Sequence, residues 1–333
     1  MTDRSISSDF TLAVHGGAGT ILRSSMNAAR EAAYHAGLRH ALDAGRVVLA
    51  GGGTAIEAVT AAVMCLEDEP LFNAGRGAVY TSAGKQEMDA AIMDGKDHAA
   101  GAVAGVFGPR NPILAARAVM EKSEHVLLIG DAALDFCRTT GIKLEDAAYF
   151  FTDQRWNALQ QTLAMRSSGK QDLDESRKHG TVGAVARDTH GHVAAATSTG
   201  GMTAKSPGRV GDTPVFGAGT WADDASCAVS ATGHGEVFIR YAAAHEISAR
   251  MRLAGQSLDV AARGVVVDLL APHGGSGGVI AVDANGAFSM PFNCAGMYRG
   301  VVTRDGVLRT AIYDERLVDY TQAAGPVGTL LRP

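Results

Sequence analysis

Apolar residues fall along this chain in two spacings, and each predicts its own elements. Short apolar runs at 10–15, 78–81, 88–94, 99–107 and 125–129 read as strands. Apolar positions at helical spacing, among them Ala29, Ala33, Ala36, Leu38, Leu42 and Val47, predict a helix over about 25–50. Thr54-Ala55-Ile56-Glu57 has the form of a capping box and starts a second helix that runs to about Cys65. Further helices are expected after Asn111-Pro112, from about Asp131, and near 154–165. Beyond residue 180 hairpins dominate. Strands 182–187 and 193–198 flank Thr189-His190-Gly191, and Asn285-Gly286 and Asp305-Gly306 mark two more turns, with long helices expected at about 235–253 and 257–270. Paired helices beside hairpin-joined strands point to an α+β fold of largely antiparallel sheets covered by helices. A four-layer αββα sandwich satisfies this, and a doubly wound parallel sheet does not.

The sharpest break in the pattern lies at 166–181. Residues 166–178 carry seven charged side chains of both signs and one apolar residue, Leu173, so the segment can bury almost nothing and reads as a flexible linker up to about 180. Two residues later, Thr181-Val182-Gly183-Ala184-Val185-Ala186 reads as a core strand that begins with a hydroxyl. A surface segment running into a buried strand through Gly180-Thr181 suits a chain that cuts itself. Cleavage there would give Thr181 a free α-amine with an ordinary pKa of about 7.7–8.0, close enough to neutrality to serve as a base for its own hydroxyl. Gly180 tolerates the backbone strain that such an attack demands.

Composition narrows the class of molecule. Glycine supplies 41 of 333 residues, in local clusters without a period, which suggests tight loops around a site. A net charge of −5 with no Lys/Arg run offers no footprint for nucleic acid or an acidic membrane, and no stretch approaches a membrane span. The first ten residues lack the apolar core of an export signal, so a cytoplasmic location is expected. Cys65, Cys137, Cys227 and Cys294 form no CxxC pair and read as buried thiols of a reducing compartment. His15-Gly16-Gly17-Ala18-Gly19 matches no phosphate-loop spacing and reads as a close-packed turn. Glu67, Asp68 and Glu69 fit no catalytic metal motif and read as a solvated loop, and Asp188, His190 and His192 read as turn residues.

Seven motifs in order then carry a resemblance: HGGAG at 15–19, PLFNAGRGAVYT at 70–81, MDAAIMDG at 88–95, GTVGAVA at 180–186, ATSTGGMTAKSPGRVGD at 196–212, TGHGE at 232–236 and GGSGG at 274–278. Over about residues 10–314 the chain resembles the plant-type L-asparaginases, or isoaspartyl peptidases. The resemblance implies an N-terminal-nucleophile hydrolase with the αββα fold, cut before Thr181 into an α subunit (1–180) and a β subunit (181–333) that together form one domain. It also implies an (αβ)₂ assembly. The implied reaction is hydrolysis of L-asparagine, and of β-aspartyl dipeptides, to aspartate.

The same resemblance implies the site. Thr181 is the nucleophile, Gly180-Thr181 the autocleavage point, and Thr199 the residue that hydrogen-bonds the nucleophile. Thr232 and Gly233 match the oxyanion hole, and Asn73 an asparagine near the nucleophile. Arg209 and Asp212 match the clamp on the α-carboxylate and α-ammonium of the aspartyl moiety, with the carbonyl of Gly235 helping to hold the ammonium. A guanidinium pairs bidentately with a carboxylate and an acceptor-only Asp with an ammonium, so the residue types suit those roles. Backbone carbonyls of Leu66, Glu67, Glu69, Phe72, Ala74 and Arg76 match a loop that holds a structural sodium, with no cofactor expected for catalysis. His179 reads as a loop histidine, and His234 as a residue beside the oxyanion hole. Two other readings stand beside this one: a glycosylasparaginase-like hydrolase, disfavoured by Gly180 and the missing signal, and a catalytically silent amino-acid-binding protein.

Overall fold

The computed structural model describes residues 9–21, 23–169 and 180–319. Positions 170–179, most of the charged segment and His179 with it, lie outside the described residues. Early in the chain come β1 (Thr11–Gly19), α1 (Ala28–Ala50), α2 (Ala55–Asp68), β2 (Met88–Asp94), β3 (Ala100–Val106) and α3 (Pro112–Lys122). They are followed by β4 (Leu127–Ile129), α4 (Gly130–Thr140), α5 (Ala147–Phe150) and α6 (Asp153–Ser167). After Thr181 the chain forms β5 (Val182–Arg187), β6 (Val193–Thr199), β7 (Thr220–Ala222), β8 (Cys227–Gly233), α7 (Gly235–Arg240), α8 (Ala243–Ala254) and α9 (Leu258–Arg263). The last described elements are β9 (Gly277–Asp283), β10 (Phe288–Ser289), β11 (Gly296–Thr303), β12 (Arg309–Tyr313) and β13 (Val318–Asp319).

These strands build two sheets. The larger runs β13-β12-β11-β1-β5-β6-β2-β3-β4 and the smaller β10-β9-β8-β7. Every pairing is antiparallel except β3 with β4. Helices α1, α2 and α3 cover one face of the large sheet, its other face meets the small sheet, and α8 and α9 cover the small sheet's outer face. The expected αββα layers are therefore present.

Alternation along each central strand assigns its faces. In β5, Val182, Ala184 and Ala186 belong to the helix-side core while Val185 belongs to the core between the sheets. Thr181 has the same parity as Val185, so it faces the inter-sheet space. In β6, Ala194 and Ala196 face the helices while Val193 and Ala195 face the small sheet, and Thr197 and Thr199 share that second side. Residues from before and after position 180 interleave: β1 lies between β11 and β5, and β2 pairs with β6. A cut at 180 would leave both pieces locked in one sheet.

Local signals account for several boundaries. Asn27 caps α1, Thr54 and Glu57 form the reciprocal capping box of α2, and Pro112 opens α3. Asp188 is a buried turn residue whose Oδ1 accepts the His190 and His192 N–H groups, while Oδ2 accepts the Ala55 N–H and ties the hairpin to α2. Among the described residues no helix is long and apolar enough to cross a membrane.

Several expectations are corrected. Residues 78–81 form no strand, because their amides are taken up locally: the Ala78 N–H donates to Gly75 O and the Val79 N–H to Asn73 Oδ1. HGGAG is not a turn but the end of β1, with a register shift between His15 and Ala18 and Gly17 at φ 109°. Glu67 and Asp68 belong to α2, and Glu67 is wholly buried, so the acidic triplet is not a solvated loop. The helix expected over 235–253 breaks at Ala242, which sits at φ 46°, and that over 257–270 passes into a π-helical stretch, Gly264–Leu270. β4 is a short outer strand with Leu127 and Ile129 exposed. Strands β7, β8 and β13 were not foreseen. The cysteines are free thiols, Cys137 and Cys227 buried, Cys65 and Cys294 only partly so.

Candidate active site

The site grows from the paired starts and ends of the central strands. Val182 opposes Ser198 in the β5–β6 ladder, which sets Thr181 beside Thr199. The Thr181 hydroxyl donates to Thr199 Oγ1 at 3.1 Å, and that same oxygen accepts the Gly201 N–H at 2.9 Å. Asn73 buttresses the turn after β6: its Nδ2 donates to Gly201 O at 2.7 Å, and its own carbonyl accepts the Gly200 N–H at 3.0 Å. Thr181, Thr199 and Asn73 are all buried.

Gly180 is wedged between the Asn73 side chain and the Gly17 backbone. A Cβ there would lie 2.9 Å from Asn73 Cβ, and a Cβ on Gly17 would lie 2.7 Å from Gly180 Cα. Gly180 is not among the glycines with positive φ, so the requirement is for space and not for the strained backbone anticipated from the sequence. Next along β1, the Ala18 N–H donates to Thr232 Oγ1 at 3.2 Å. Accepting that bond leaves the Thr232 proton free to donate, as an oxyanion-hole hydroxyl must. Gly233 follows it at the end of β8.

The clamp residues converge on the N-terminus of α7. A Cβ on Gly235 would lie 2.7 Å from Asp212 Oδ1 and 3.0 Å from Arg209 Nη2, so Gly235 is what allows both to approach. Arg209 is already paired: Nε and Nη2 donate to the two carboxylate oxygens of Glu236 at 2.9 and 3.0 Å. His234 Nε2 lies 3.4 Å from the same carboxylate. Burial raises the Asp212 carboxyl to about 7; Arg209 opposes the rise while Glu236 and Asp89 add to it. Burial would also raise Glu236, but the Arg209 pair and His234 bring it down to about 2. Beneath the loop, buried Asp89 opposes Thr199 in the β2–β6 ladder and lies near Lys205. Burial raises Asp89 and lowers Lys205, each opposed by the other's charge.

Three of these groups were missed from the sequence. Glu236 was in view within TGHGE, but nothing local says that it would take the Arg209 fork. His15 was read as part of a turn. It is fully buried, its Nε2 lies 3.0 Å from Ser230 Oγ, and burial lowers it to about 3, offset in part by the Thr181 backbone. The buried Glu67 carboxyl faces away from the loop it begins, accepting from Ser198 Oγ at 2.6 Å and from the Ile113 N–H at 2.9 Å; burial raises it to about 8 against those bonds.

Past Glu67 the chain forms a tight loop that packs back on the end of α2. Gly75, at φ 50°, packs so closely that a Cβ would lie 2.6 Å from Glu67 O, and one on Gly77 would collide with Phe72 O. The carbonyls of Leu66 and Glu67 belong to the last turn of α2, the negative end of the helix dipole. Glu69 O and Ala74 O also accept the Phe72 and Gly77 amides, and Arg155 fixes the loop from outside through Leu71 O and Gly77 O.

A threonine hydroxyl pair at the start of a central strand in an αββα sandwich, with Thr232 and the Arg209–Asp212 loop on neighbouring elements, matches the architecture of a class: the amidohydrolases of the N-terminal-nucleophile type. The chain belongs to the asparaginase family, whose model matches residues 8–312. It is 50% identical to the isoaspartyl peptidase of Salmonella typhimurium over 311 residues, covering 91% of this chain and 98% of that protein. The isoaspartyl peptidase of Escherichia coli is 48% identical over 312 residues, covering 92% and 96%. The plant-type L-asparaginase of Thermococcus kodakarensis is 44% identical over 283 residues, covering 82% and 90%.

Proposed function

We propose that this chain hydrolyses β-aspartyl dipeptides and L-asparagine to L-aspartate, using Thr181 as an N-terminal nucleophile released by self-cleavage. The observation that carries the reading is the Thr181–Thr199 hydroxyl pair beside Gly180, with a separate clamp for an α-amino acid at Arg209 and Asp212. In the first step Thr181 Oγ1 attacks the Gly180 carbonyl carbon. The Gly180–Thr181 amide breaks, the Thr181 amine is freed, and water hydrolyses the resulting ester to leave the Gly180 carboxylate.

In turnover the amine takes the hydroxyl proton as Oγ1 attacks the substrate's side-chain carbonyl. The oxyanion is received by the Thr232 hydroxyl and the Gly233 N–H, donors worth about 2.7–4 kcal/mol each where they have been removed elsewhere. The protonated amine then gives its proton to the departing ammonia or amino acid, and water hydrolyses the aspartyl ester. Thr199 aligns Oγ1, and Asn73 holds the Gly200–Gly201 turn that supports Thr199. The substrate carboxylate pairs with Arg209, and its ammonium with Asp212 and the Gly235 carbonyl. That ammonium stabilises the ionised form of a carboxyl that burial otherwise raises to about 7.

The carbonyls of Leu66, Glu67, Glu69, Phe72, Ala74 and Arg76 fit a structural sodium, since hard cations take oxygen ligands and a helix C-terminus favours positive charge. Its part would be to fix the loop that carries Asn73. We further read 1–180 and 181–333 as the two subunits of the mature particle, paired as (αβ)₂ in the cytoplasm. Incubation of purified protein with β-aspartyl-leucine and with L-asparagine tests the function: aspartate should appear from both, with leucine or ammonia as co-product. Release from neither would refute it.

A further inference from the structure

The proposed reaction constrains where the leaving group sits. The Thr181 amine must protonate the departing nitrogen, so the leaving group lies on the amine's side of Thr181, opposite the clamp that holds the aspartyl part. In the uncut chain Gly180 occupies that side, and it opens on a cavity of about 400 Å³. It is lined by the Gly16–Gly19 end of β1, by residues at the start of α1 and by α6.

We propose that this cavity is the leaving-group subsite, built for an α-amino acid with a free carboxylate, and that Arg30 meets that carboxylate. The inference rests on the functional reading above and adds to it the part of the substrate that the clamp does not touch.

Size is the first argument. The volume lies within the usual range of small-ligand sites, about 300–1,000 Å³. Asparagine releases only ammonia and has no use for it, whereas a β-aspartyl dipeptide releases a whole amino acid. Wall chemistry is the second. Tyr34 stacks on Tyr298 with ring centroids 4.2 Å apart, an apolar face for a side chain. Gln154, Asn157 and Gln161, on one face of α6, also line the cavity and can meet polar groups.

Charge is the third and decides the ligand class. Among the described residues, two arginines and no acidic residue line the cavity. Arg155 is only partly exposed and is already engaged, with Nε donating to Gly77 O at 2.7 Å and Nη2 to Leu71 O at 3.1 Å. Arg30 is exposed, and the side-chain contact of its guanidinium is a long one, Nη2 to Tyr34 Oη at 3.4 Å. Among the described residues no carboxylate forms an ion pair with it. A guanidinium held over a tyrosine, at a pocket whose described lining carries no acid, favours an anion, and the leaving residue of a dipeptide brings one in its carboxylate.

Steady-state kinetics on three substrates tests this: β-aspartyl-leucine, β-aspartyl-leucine amide and L-asparagine, with wild type, Arg30→Ala and Arg30→Lys. Arg30→Ala should lower kcat/KM for β-aspartyl-leucine about tenfold relative to its effect on L-asparagine, through KM, with Arg30→Lys recovering part of the loss. Wild type should use the amide about as poorly as Arg30→Ala uses the acid, a comparison that needs no variant to fold. Equal losses on all three substrates, or wild type treating acid and amide alike, would overturn the subsite. Aspartate release from no substrate by wild type would instead show that the functional reading itself had failed, and the subsite with it.

Discussion

The proposed nucleophile and the proposed clamp are built from opposite materials. Around Thr181 the hydrogen bonds of the described residues are neutral: hydroxyl to hydroxyl, amide to hydroxyl, and Asn73 to backbone, set by the register of paired strands. Around Arg209 the contacts are ionic, carried by a loop and the first turn of α7, with Arg209 and Glu236 satisfying each other while Asp212 Oδ2 is buried without a hydrogen-bond partner. The first region has little to rearrange when its hydroxyl attacks, which is what preorganisation requires. The second must exchange partners when a zwitterion arrives. Lesions on the strand side should therefore appear in kcat, and lesions on the loop side in KM.

The clamp offers the largest effect. Asp212→Asn should raise KM for either substrate and lower kcat/KM roughly 100-fold, since a bond between charged groups is lost. Self-cleavage, followed by gel, should proceed in this variant because it uses no clamp. Next comes pH. Free enzyme must have Asp212 ionised, from a carboxyl that burial raises to about 7, and the Thr181 amine neutral. Both conditions fail as pH falls, so the acid limb of kcat/KM should approach a slope of two below about 7, while kcat, measured with the ammonium already against Asp212, should show a slope of one. Equal slopes would contradict the clamp assignment.

On the strand side, Thr199→Val should lower kcat roughly tenfold with KM nearly unchanged, by removing the acceptor of the Thr181 hydroxyl. A loss confined to KM would erase the distinction between the two regions. The smallest effect is expected from Glu236→Gln, which removes the anion that shares Arg209 with the substrate. KM should fall about threefold at low ionic strength and the difference should shrink in salt, as for a half-exposed pair.

What the sequence made legible was mostly local. The capping box of α2, the proline that opens α3 and the Asn285-Gly286 turn state their geometry within four residues. The start of β5 just after Thr181 was legible because a change from charged to apolar residues needs no partner to be seen. Glu67 was not. Three consecutive acids look solvated, and only the fold brings Ser198 and the amino end of α3 to the buried one. The same holds for Glu236, whose partner is 27 residues away. Ala242 carries no helix-breaking signal, yet the helix stops there in a left-handed residue. Strand β8 went unread although it carries Thr232, because its partners β7 and β9 meet it only in the folded small sheet.

The central claim is that Thr181 is both the point of self-cleavage and the nucleophile. Intact mass of freshly purified and incubated protein, wild type beside Thr181→Ala, tests it most directly. Two fragments divided between Gly180 and Thr181 in wild type, and one whole chain in the variant, are predicted. A wild-type chain that stays whole while releasing aspartate, or a variant that still divides at that bond, would contradict it.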